Sequence, residues 1–225
     1  MMKTIDELFE PIDMETWPRA QSFYYYTQMA PTTYSINVSM DVTVLRNELK
    51  QQGLKFFPTY LWLVTKAINE VPELRVGLKD GVLGCWRQLT PLYPQFHEDD
   101  QTTSLLWTEH HDNFLEFYQS YIKDTKEHGD SHGILSSKGM PLPNGYVISC
   151  IPWFSFQSFS LYNHNLKDYY FPSFEAGKFV ETEEKILMPL SVTVHHATTD
   201  GYHLKMFFEI LQNSMDNPSQ WLLRI

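Results

Sequence analysis

The sequence predicts an α+β fold, a mixed β-sheet with helices packed on it. Residues 34–40 alternate apolar and small polar side chains, which is the period of a half-buried strand. A Lys79-Asp80-Gly81 turn lies between two apolar arms, which is typical of a β-hairpin. Other segments repeat apolar residues at helical spacing. Because hairpins and helices mix along the chain without strict alternation, the class is α+β.

Helix and strand limits follow from the residues that start and stop each element. Further strands are expected at 92–96 and 103–108, within 146–161, and at 186–196, where Pro189 predicts an edge or bulge position because proline cannot donate a ladder hydrogen bond. Residues 129–145 are predicted as a loop. Four helices are expected: from near Asp41 to Gly53, from the turn containing Pro58 to before Pro72, from Asp112 as N-cap to Gly129, and from about Tyr202 to Met215.

Composition narrows the class of protein. The chain has 225 residues, no internal repeat and no Gly/Ser or Pro-rich linker, so we expect a single domain over 1–225. A net charge of −10 with scattered basic residues argues against a nucleic-acid partner. No membrane span or signal peptide is expected, which predicts a cytoplasmic protein. Cys85 and Cys150 lack metal or redox spacing, and we expect both to be reduced and buried.

The most informative segment is His195-His196-Ala197-Thr198-Thr199-Asp200-Gly201, which follows an apolar strand and begins the last helix. A strand that ends in histidine can present an imidazole to a cleft, and imidazole is the side chain whose ordinary pKa suits general-base work near neutral pH. On the residues alone, a second interpretation stays open. Asp200 could be only a helix N-cap and the histidines a satisfied polar pair.

Other candidate sites are weaker. His128 and His132 are four residues apart, but the glycines around them predict a loop rather than a helical metal site, so we expect no metal. His110 and His111 are interpreted as a surface pair, and Cys150 is expected to face the core rather than act as a nucleophile. The sequence contains no glycine-rich phosphate loop.

The pattern H-H-x-x-x-D-G resembles that of the chloramphenicol acetyltransferases and of their relatives, the catalytic domains of dihydrolipoamide acyltransferases and the condensation domains of peptide synthetases. Further matches favour the first group and hold in order over nearly the whole chain. They are Trp17-Pro18-Arg19 followed by Phe23, Lys55-Phe56-Phe57-Pro58, Ser149 with Pro152-Trp153, Ser155-Phe156 and Ser158-Phe159, and Gly177-Lys178-Phe179 followed by Leu187-Met188-Pro189-Leu190-Ser191.

The resemblance implies an acetyl transfer within a ternary complex and assigns its catalytic residues. His196 would be the base that takes the proton of an acceptor hydroxyl as its oxygen attacks acetyl-CoA. Ser149 would donate a hydrogen bond to the oxyanion, worth roughly 3 to 4 kcal/mol of barrier. Asp200 would pair with Arg19 and hold the loop that carries His196.

The resemblance also assigns contacts to both substrates. Lys55 and Lys178 would lie near the coenzyme A phosphate, with Phe57, Trp153 and Phe179 as apolar contacts. If the resemblance is set aside, the lysines are interpreted as solvated surface residues and the aromatic residues as part of the core. The acceptor pocket would be lined by Phe23, Tyr26, Thr32, Thr103 and Leu161. Thr32 and Thr103 stand where the family commonly has Cys and Phe, which removes an aromatic wall. Chloramphenicol is therefore the family substrate, and another hydroxyl acceptor stays open.

The resemblance further implies a homotrimer, with each site at a subunit interface. Trp153, the aromatic segment after it and the tail with Trp221 are the apolar surface expected to make such contacts. Two alternatives remain. One is a ligand-binding homologue without catalysis, which the joint presence of Arg19, Ser149, His196 and Asp200 disfavours. The other is a lipoamide-linked acyltransferase domain, disfavoured because nothing upstream resembles a lipoyl domain or its tether.

Overall fold

A computed structural model describes residues 5–162 and 168–222, in which ten strands and five α-helices are arranged as an α+β fold. The strands are β1 (Phe9–Pro11), β2 (Thr33–Asp41), β3 (Val76–Lys79), β4 (Val82–Trp86), β5 (Thr90–His97), β6 (Thr102–Trp107), β7 (Gly145–Ile151), β8 (Ser173–Gly177), β9 (Val180–Glu181) and β10 (Ile186–His195). The helices are α1 (Ala20–Tyr24), α2 (Thr43–Gln51), α3 (Phe56–Asn69), α4 (Phe114–His128) and α5 (Gly201–Asp216).

The larger sheet is mixed, as the sequence predicts. Its strands follow the order β2, β10, β8, β7, β5, β6, and β9 pairs with the start of β10. β7 runs parallel to both β5 and β8, whereas the other pairs are antiparallel. A smaller sheet has the order β1, β4, β3. Its hairpin turn has positive φ angles at Asp80 (51°) and Gly81 (80°), which confirms the turn predicted there.

The four predicted helices are confirmed as α2 to α5, with one change of cap. Asn113 rather than Asp112 caps α4, because its side chain accepts the backbone N–H groups of Leu115 and Glu116. Helix α1 is not predicted by the sequence pattern, and it continues into a π-helical turn over Tyr25–Met29. None of its residues is buried, so it lacks the apolar stripe by which a helix is recognised. Within the described residues, no helix is long and apolar enough to cross a membrane.

The two faces of the larger sheet differ in polarity, and this difference sets where a site can form. One face is apolar: Ile148, Phe174, Leu190 and Val192 are fully buried in the core that includes α3 and α5. The alternating positions on the other face include Ser149, Glu175, Ser191 and Asn37, which share one row across four strands.

The predicted strand within 146–161 is correct only up to Ile151. The next residue is Pro152, which cannot donate a ladder hydrogen bond. Beyond it, the chain crosses the polar face of the sheet. There the N–H of Phe159 donates to Asn37 Oδ1 (2.8 Å), and Ser191 Oγ donates to the carbonyl of Phe159 (2.9 Å). Side chains of the sheet therefore supply the hydrogen bonds that a neighbouring strand would have supplied.

Pro189 does not lie at an edge, since β10 pairs with β2 along its length. On the other side, three steps along β10 from Leu187 to Leu190 face four from Val180 back to Ala176, so Pro189 lies opposite a bulge, as the second alternative of the prediction had it. Trp221 is only partly exposed, because its ring packs 5.2 Å from Trp62 and 5.0 Å from Phe114. Its indole N–H also donates within the chain, to the carbonyl of Ser214.

Candidate active site

The end of β10 and the start of α5 form a tight loop that carries both motif histidines. His195 is the last residue of β10, and its carbonyl accepts the N–H groups of Thr198 and Thr199, both at 3.1 Å. The N–H of His196 donates to the carbonyl of Thr32 (2.9 Å), which ties the loop to the start of β2. Asp200 is the N-cap residue of α5. The loop is therefore fixed at both ends by backbone structure.

Arg19 fastens this loop from the N-terminal segment. Its guanidinium makes two hydrogen bonds to the Asp200 carboxylate, one of them 3.0 Å from Nη2 to Oδ1, and Nη2 also donates to the carbonyl of His196 (3.2 Å). These bonds hold the pKa of Asp200 below its usual range. One planar cation thus contacts both the acid and the histidine of the motif.

The His196 imidazole is held between two tyrosines. It stacks on Tyr26 with ring centroids 4.0 Å apart, and the edge of Tyr34 lies 5.0 Å away. Its Nδ1 is buried and lies 3.2 Å from Asp200 Oδ1, but the angles are not those of a hydrogen bond. No described residue makes a hydrogen bond to Nε2. The ring is therefore oriented by its packing between the tyrosines and by the backbone of the loop.

His195 has a different environment from His196. It is half-buried, its Nδ1 accepts the N–H of Ala197 (3.1 Å), and its ring meets the edge of Tyr170. Burial lowers the pKa of His195, and the neighbouring His196 lowers it further. The His195 ring is therefore engaged within the loop through Nδ1.

Ser149 lies far from His196 in the same chain. It pairs in register with Glu175, which pairs with Ser191, so Ser149 is two strands from β10 and five residues short of His196 along it. Strand spacing of about 4.8 Å and a rise of about 3.3 Å per residue give a separation of roughly 19 Å. Within one chain, Ser149 and His196 therefore cannot both contact the same substrate atom.

The residues expected at coenzyme A fall into two groups. Lys55 and Lys178 are both exposed. The two lysines belong to neighbouring segments, because the ring of Phe56, next to Lys55, packs 4.9 Å from that of Phe179, next to Lys178. Phe57 is half-buried and packs on one side against Tyr93 and Tyr121. Trp153 is 58% exposed and touches only Phe96 among the described ring contacts.

The residues expected at the acceptor are also divided within one chain. Phe23, Tyr26 and Thr32 surround the loop: Phe23 packs on Tyr170, and Thr32 accepts from His196. Leu161 lines a small cavity of about 70 Å³ together with His195. Thr103 is exposed on the edge strand β6, four strands away from β10.

Residues 8–212 match the family model described as chloramphenicol acetyltransferase. A chloramphenicol acetyltransferase of Clostridium perfringens is 38% identical over 95% of this chain and 98% of its own length. The chain belongs to the chloramphenicol acetyltransferase family. The chloramphenicol acetyltransferase of Staphylococcus aureus is also 38% identical, over 96% and 99% of the two chains. A solved chloramphenicol acetyltransferase has the same fold, with a TM-score of 0.79 at 24% identity, covering 92% and 99%.

In this member of the chloramphenicol acetyltransferase family, one buried acid, Glu175, is not predicted from the sequence. It is 3% exposed, lies beside Ser149 in the polar row, and its Oε2 has no hydrogen-bond partner among the described residues. Burial raises its pKa to about 7, a rise that a hydrogen bond from Ser173 offsets in part. A lone acid in the otherwise apolar or small segment Ser173–Gly177 is the signal that could have identified it.

Two smaller expectations also need correction. His110 is buried, 5% exposed, and burial lowers its pKa to about 3, so it is no surface residue. Cys85 and Cys150 are free thiols, but both are half-buried rather than fully buried. Cys150 packs against the apolar core, and burial raises its pKa to about 11, which makes it a poor nucleophile.

The Arg19–Asp200 pair should contribute measurably to stability. We expect a double-mutant cycle with Arg19→Ala and Asp200→Ala to give a coupling energy of about 1–2 kcal/mol in urea unfolding, because the pair is bidentate and only partly screened by solvent. The exposed pair Lys205–Glu209 on α5 is the control and should show no measurable coupling. Strictly additive effects of the Arg19 and Asp200 substitutions would contradict the interpretation.

Glu175 should make stability depend on pH. The folded chain holds this proton more tightly than the unfolded chain, so the free energy of unfolding should fall by about 3 kcal/mol as pH rises from below 4.5 to above 7. Glu175→Gln should remove that fall and be the more stable protein at pH 8, with little difference at pH 4.5. Urea unfolding at fixed protein concentration measures this, with the exposed Glu181→Gln as control. Parallel pH profiles for Glu175→Gln and the unmodified chain would refute it.

Proposed function

We propose that the chain transfers an acetyl group from acetyl-CoA to a hydroxyl of chloramphenicol or a closely related acceptor. The observation that carries this proposal is the state of His196: its ring is fixed between Tyr26 and Tyr34 while Nε2 is unengaged by described residues. A positioned imidazole with one free nitrogen is what a general base requires. Family membership supports the reaction class.

The proposed step is a direct transfer in a ternary complex. His196 Nε2 takes the proton of the acceptor hydroxyl while the oxygen attacks the thioester carbonyl. The tetrahedral intermediate then collapses, the carbon–sulfur bond breaks, and the proton passes to the departing thiolate. Ser149 donates a hydrogen bond to the oxyanion, and Asp200 with Arg19 keeps the loop in position. The products are the acetyl ester of the acceptor and free coenzyme A thiol, and the enzyme is regenerated unchanged.

We infer that the working enzyme is a homotrimer in which each site combines residues of two subunits. The separation of roughly 19 Å between Ser149 and His196 within a chain supports this, since one substrate cannot touch both. Exposed apolar surface beside His196 also supports it. Tyr24, Tyr25 and Met29 are 60%, 46% and 66% exposed and line an open cavity of about 630 Å³ that also includes Tyr26.

The substrate contacts follow the same proposal. Lys55 and Lys178 suit a coenzyme A phosphate because both are exposed cations at one end of the fold, with Phe179 between them and the core. Phe57 and Trp153 would add apolar contacts. Phe23, Tyr26, Thr32, Thr103 and Leu161 would line the acceptor pocket. The two free thiols fit a cytoplasmic enzyme. We also propose that residues 1–225 form a single domain.

Acetylation of chloramphenicol tests the proposal. Purified protein should release coenzyme A from acetyl-CoA when millimolar chloramphenicol is present and not in its absence.

Thr103→Phe should lower the KM for chloramphenicol by about tenfold or more and leave kcat almost unchanged, because it restores an aromatic contact worth roughly 1–3 kcal/mol. Protein that binds acetyl-CoA but acetylates no chloramphenicol would show that the acceptor is another hydroxyl or amine compound.

The two histidines should respond differently to substitution. His196→Ala should lower kcat by about two to four powers of ten while the affinity for acetyl-CoA stays nearly the same, because the imidazole acts on the acceptor. His195→Ala should be milder, since that ring supports the loop. Circular dichroism confirms folding of both variants, and steady-state kinetics compares them. A folded His195→Ala with the lower activity would reverse the assignment of the base.

The oligomeric state is tested by mass. Light scattering at micromolar concentration should give three times the mass of the chain, because the exposed surface around Tyr24, Tyr25 and Met29 would be covered by the neighbouring subunit. Tyr25→Glu should weaken the assembly, whereas the same change at Tyr162, which is 75% exposed, serves as control. A monomeric mass with full activity would remove the case for shared sites.

A further inference from the structure

Two histidines and an aspartate meet at the turn between β5 and β6, two of them from the end of β5 and the turn itself, and one from a loop later in the chain. His97 ends β5, Asp99 follows it in the turn, and His132 lies in the loop after α4. One ligand atom from each of the three lies within 4.8 Å of the other two. The imidazole rings of His97 and His132 are stacked with centroids 4.3 Å apart. This is a set of nitrogen and oxygen donors that divalent transition metals accept.

The surrounding residues hold both imidazoles in a way that suits metal binding. Asp100 Oδ2 lies 2.7 Å from His132 Nδ1, which leaves Nε2 of that ring 3.4 Å from Asp99 Oδ2. Asp100 is itself fixed by the backbone and hydroxyl of Thr102, at 3.0 and 2.7 Å. A carboxylate on the far nitrogen of a histidine sets the ring's tautomer and direction, as outer partners of metal-bound histidines do.

His97 is the rigid member of the cluster. It is only 7% exposed, and its Nε2 lies 3.0 Å from Ser104 Oγ on the paired strand β6. This contact engages one ring nitrogen and leaves Nδ1 for a ligand. A buried histidine supplies a donor whose position does not have to be fixed when a metal binds.

The charge around the cluster favours a cation. The cavity beside it has a volume of about 410 Å³ and is lined by Gln95, Phe96, His97, Glu98, Asp99, Thr125, Gly129, Asp130 and His132. Three of these residues are acids, and none is a lysine or arginine. The cluster therefore sits in a negative potential that no basic side chain of the lining offsets.

We propose that His97, Asp99 and His132 form a binding site for a divalent first-row transition metal such as Zn²⁺, with Asp100 orienting His132 and the remaining positions open to water. The spacing of His132 suggests only His128 as a second ligand, and the glycines around that pair predict a loop, so the sequence alone predicts no metal. In the structure His128 bonds to Ser137 (2.9 Å) and does not belong to the cluster. The bound ion would clamp the β5–β6 turn to the loop after α4. This proposal does not depend on the acetyl transfer.

Calorimetric titration of chelator-treated protein with Zn²⁺ tests the site. We expect one strongly bound ion per chain, and a rise in Tm with added Zn²⁺ because the ion binds the folded chain. His132→Ala and Asp99→Asn should each weaken binding about 100-fold or more, and Asp100→Asn about 10- to 100-fold through loss of the outer partner. The first two residues are exposed enough for the fold to tolerate the changes.

His128→Ala is the matched control, a nearby histidine outside the cluster, and should leave affinity and Tm shift unchanged. Absorption of bound Co²⁺ should report a nitrogen- and oxygen-liganded ion that disappears in His132→Ala. The proposal is overturned if the unmodified chain binds no ion, or if His132→Ala and Asp99→Asn bind Zn²⁺ as tightly as it does. Equal weakening by His128→Ala would likewise assign the binding to scattered surface histidines.

Discussion

Arg19 and Asp200 join two segments that are 181 positions apart, and the rest of the site depends on that contact. The guanidinium bonds both to the Asp200 carboxylate and to the backbone of His196, so it fixes the acid and the loop together. In this loop, the N–H of His196 donates to the carbonyl of Thr32, and the His196 ring stacks on Tyr26. Both Tyr26 and Thr32 follow Arg19 closely in sequence. A histidine on a free loop would lose the fixed direction that general-base catalysis needs.

The geometry of the sheet imposes the second constraint. Ser149 and His196 are attached to the same rigid sheet, so their separation cannot be closed by side-chain rotation or by a small loop movement. Either the serine has no part in the chemistry, or it serves a site whose histidine comes from another copy of the chain. The division of the acceptor residues points the same way: Tyr26 and Thr32 lie beside His196, whereas Thr103 lies on the far edge strand.

Local signals in the sequence predicted most of the elements. The alternation at 34–40 became β2, and the Asp80-Gly81 turn and Gly53 took the positive φ angles that their positions require. What failed depended on contacts between distant residues. β8 is buried on both faces and shows no alternation, while the segment after Pro152 alternates like a strand but bonds to side chains of the sheet. The cluster of His97, Asp99 and His132 could not be read from spacing, because His132 lies more than 30 positions after the other two.

The most direct test of a shared site uses two inactive variants, Ser149→Ala and His196→Ala, unfolded together and refolded as a mixture. If each site takes its serine from one subunit and its histidine from the next, every mixed trimer contains one intact site. Equal mixing should then restore about a quarter of the unmodified activity per chain. If both residues served the same site from a single chain, no intact site could form, and the mixture would have only the mean activity of the two variants refolded separately.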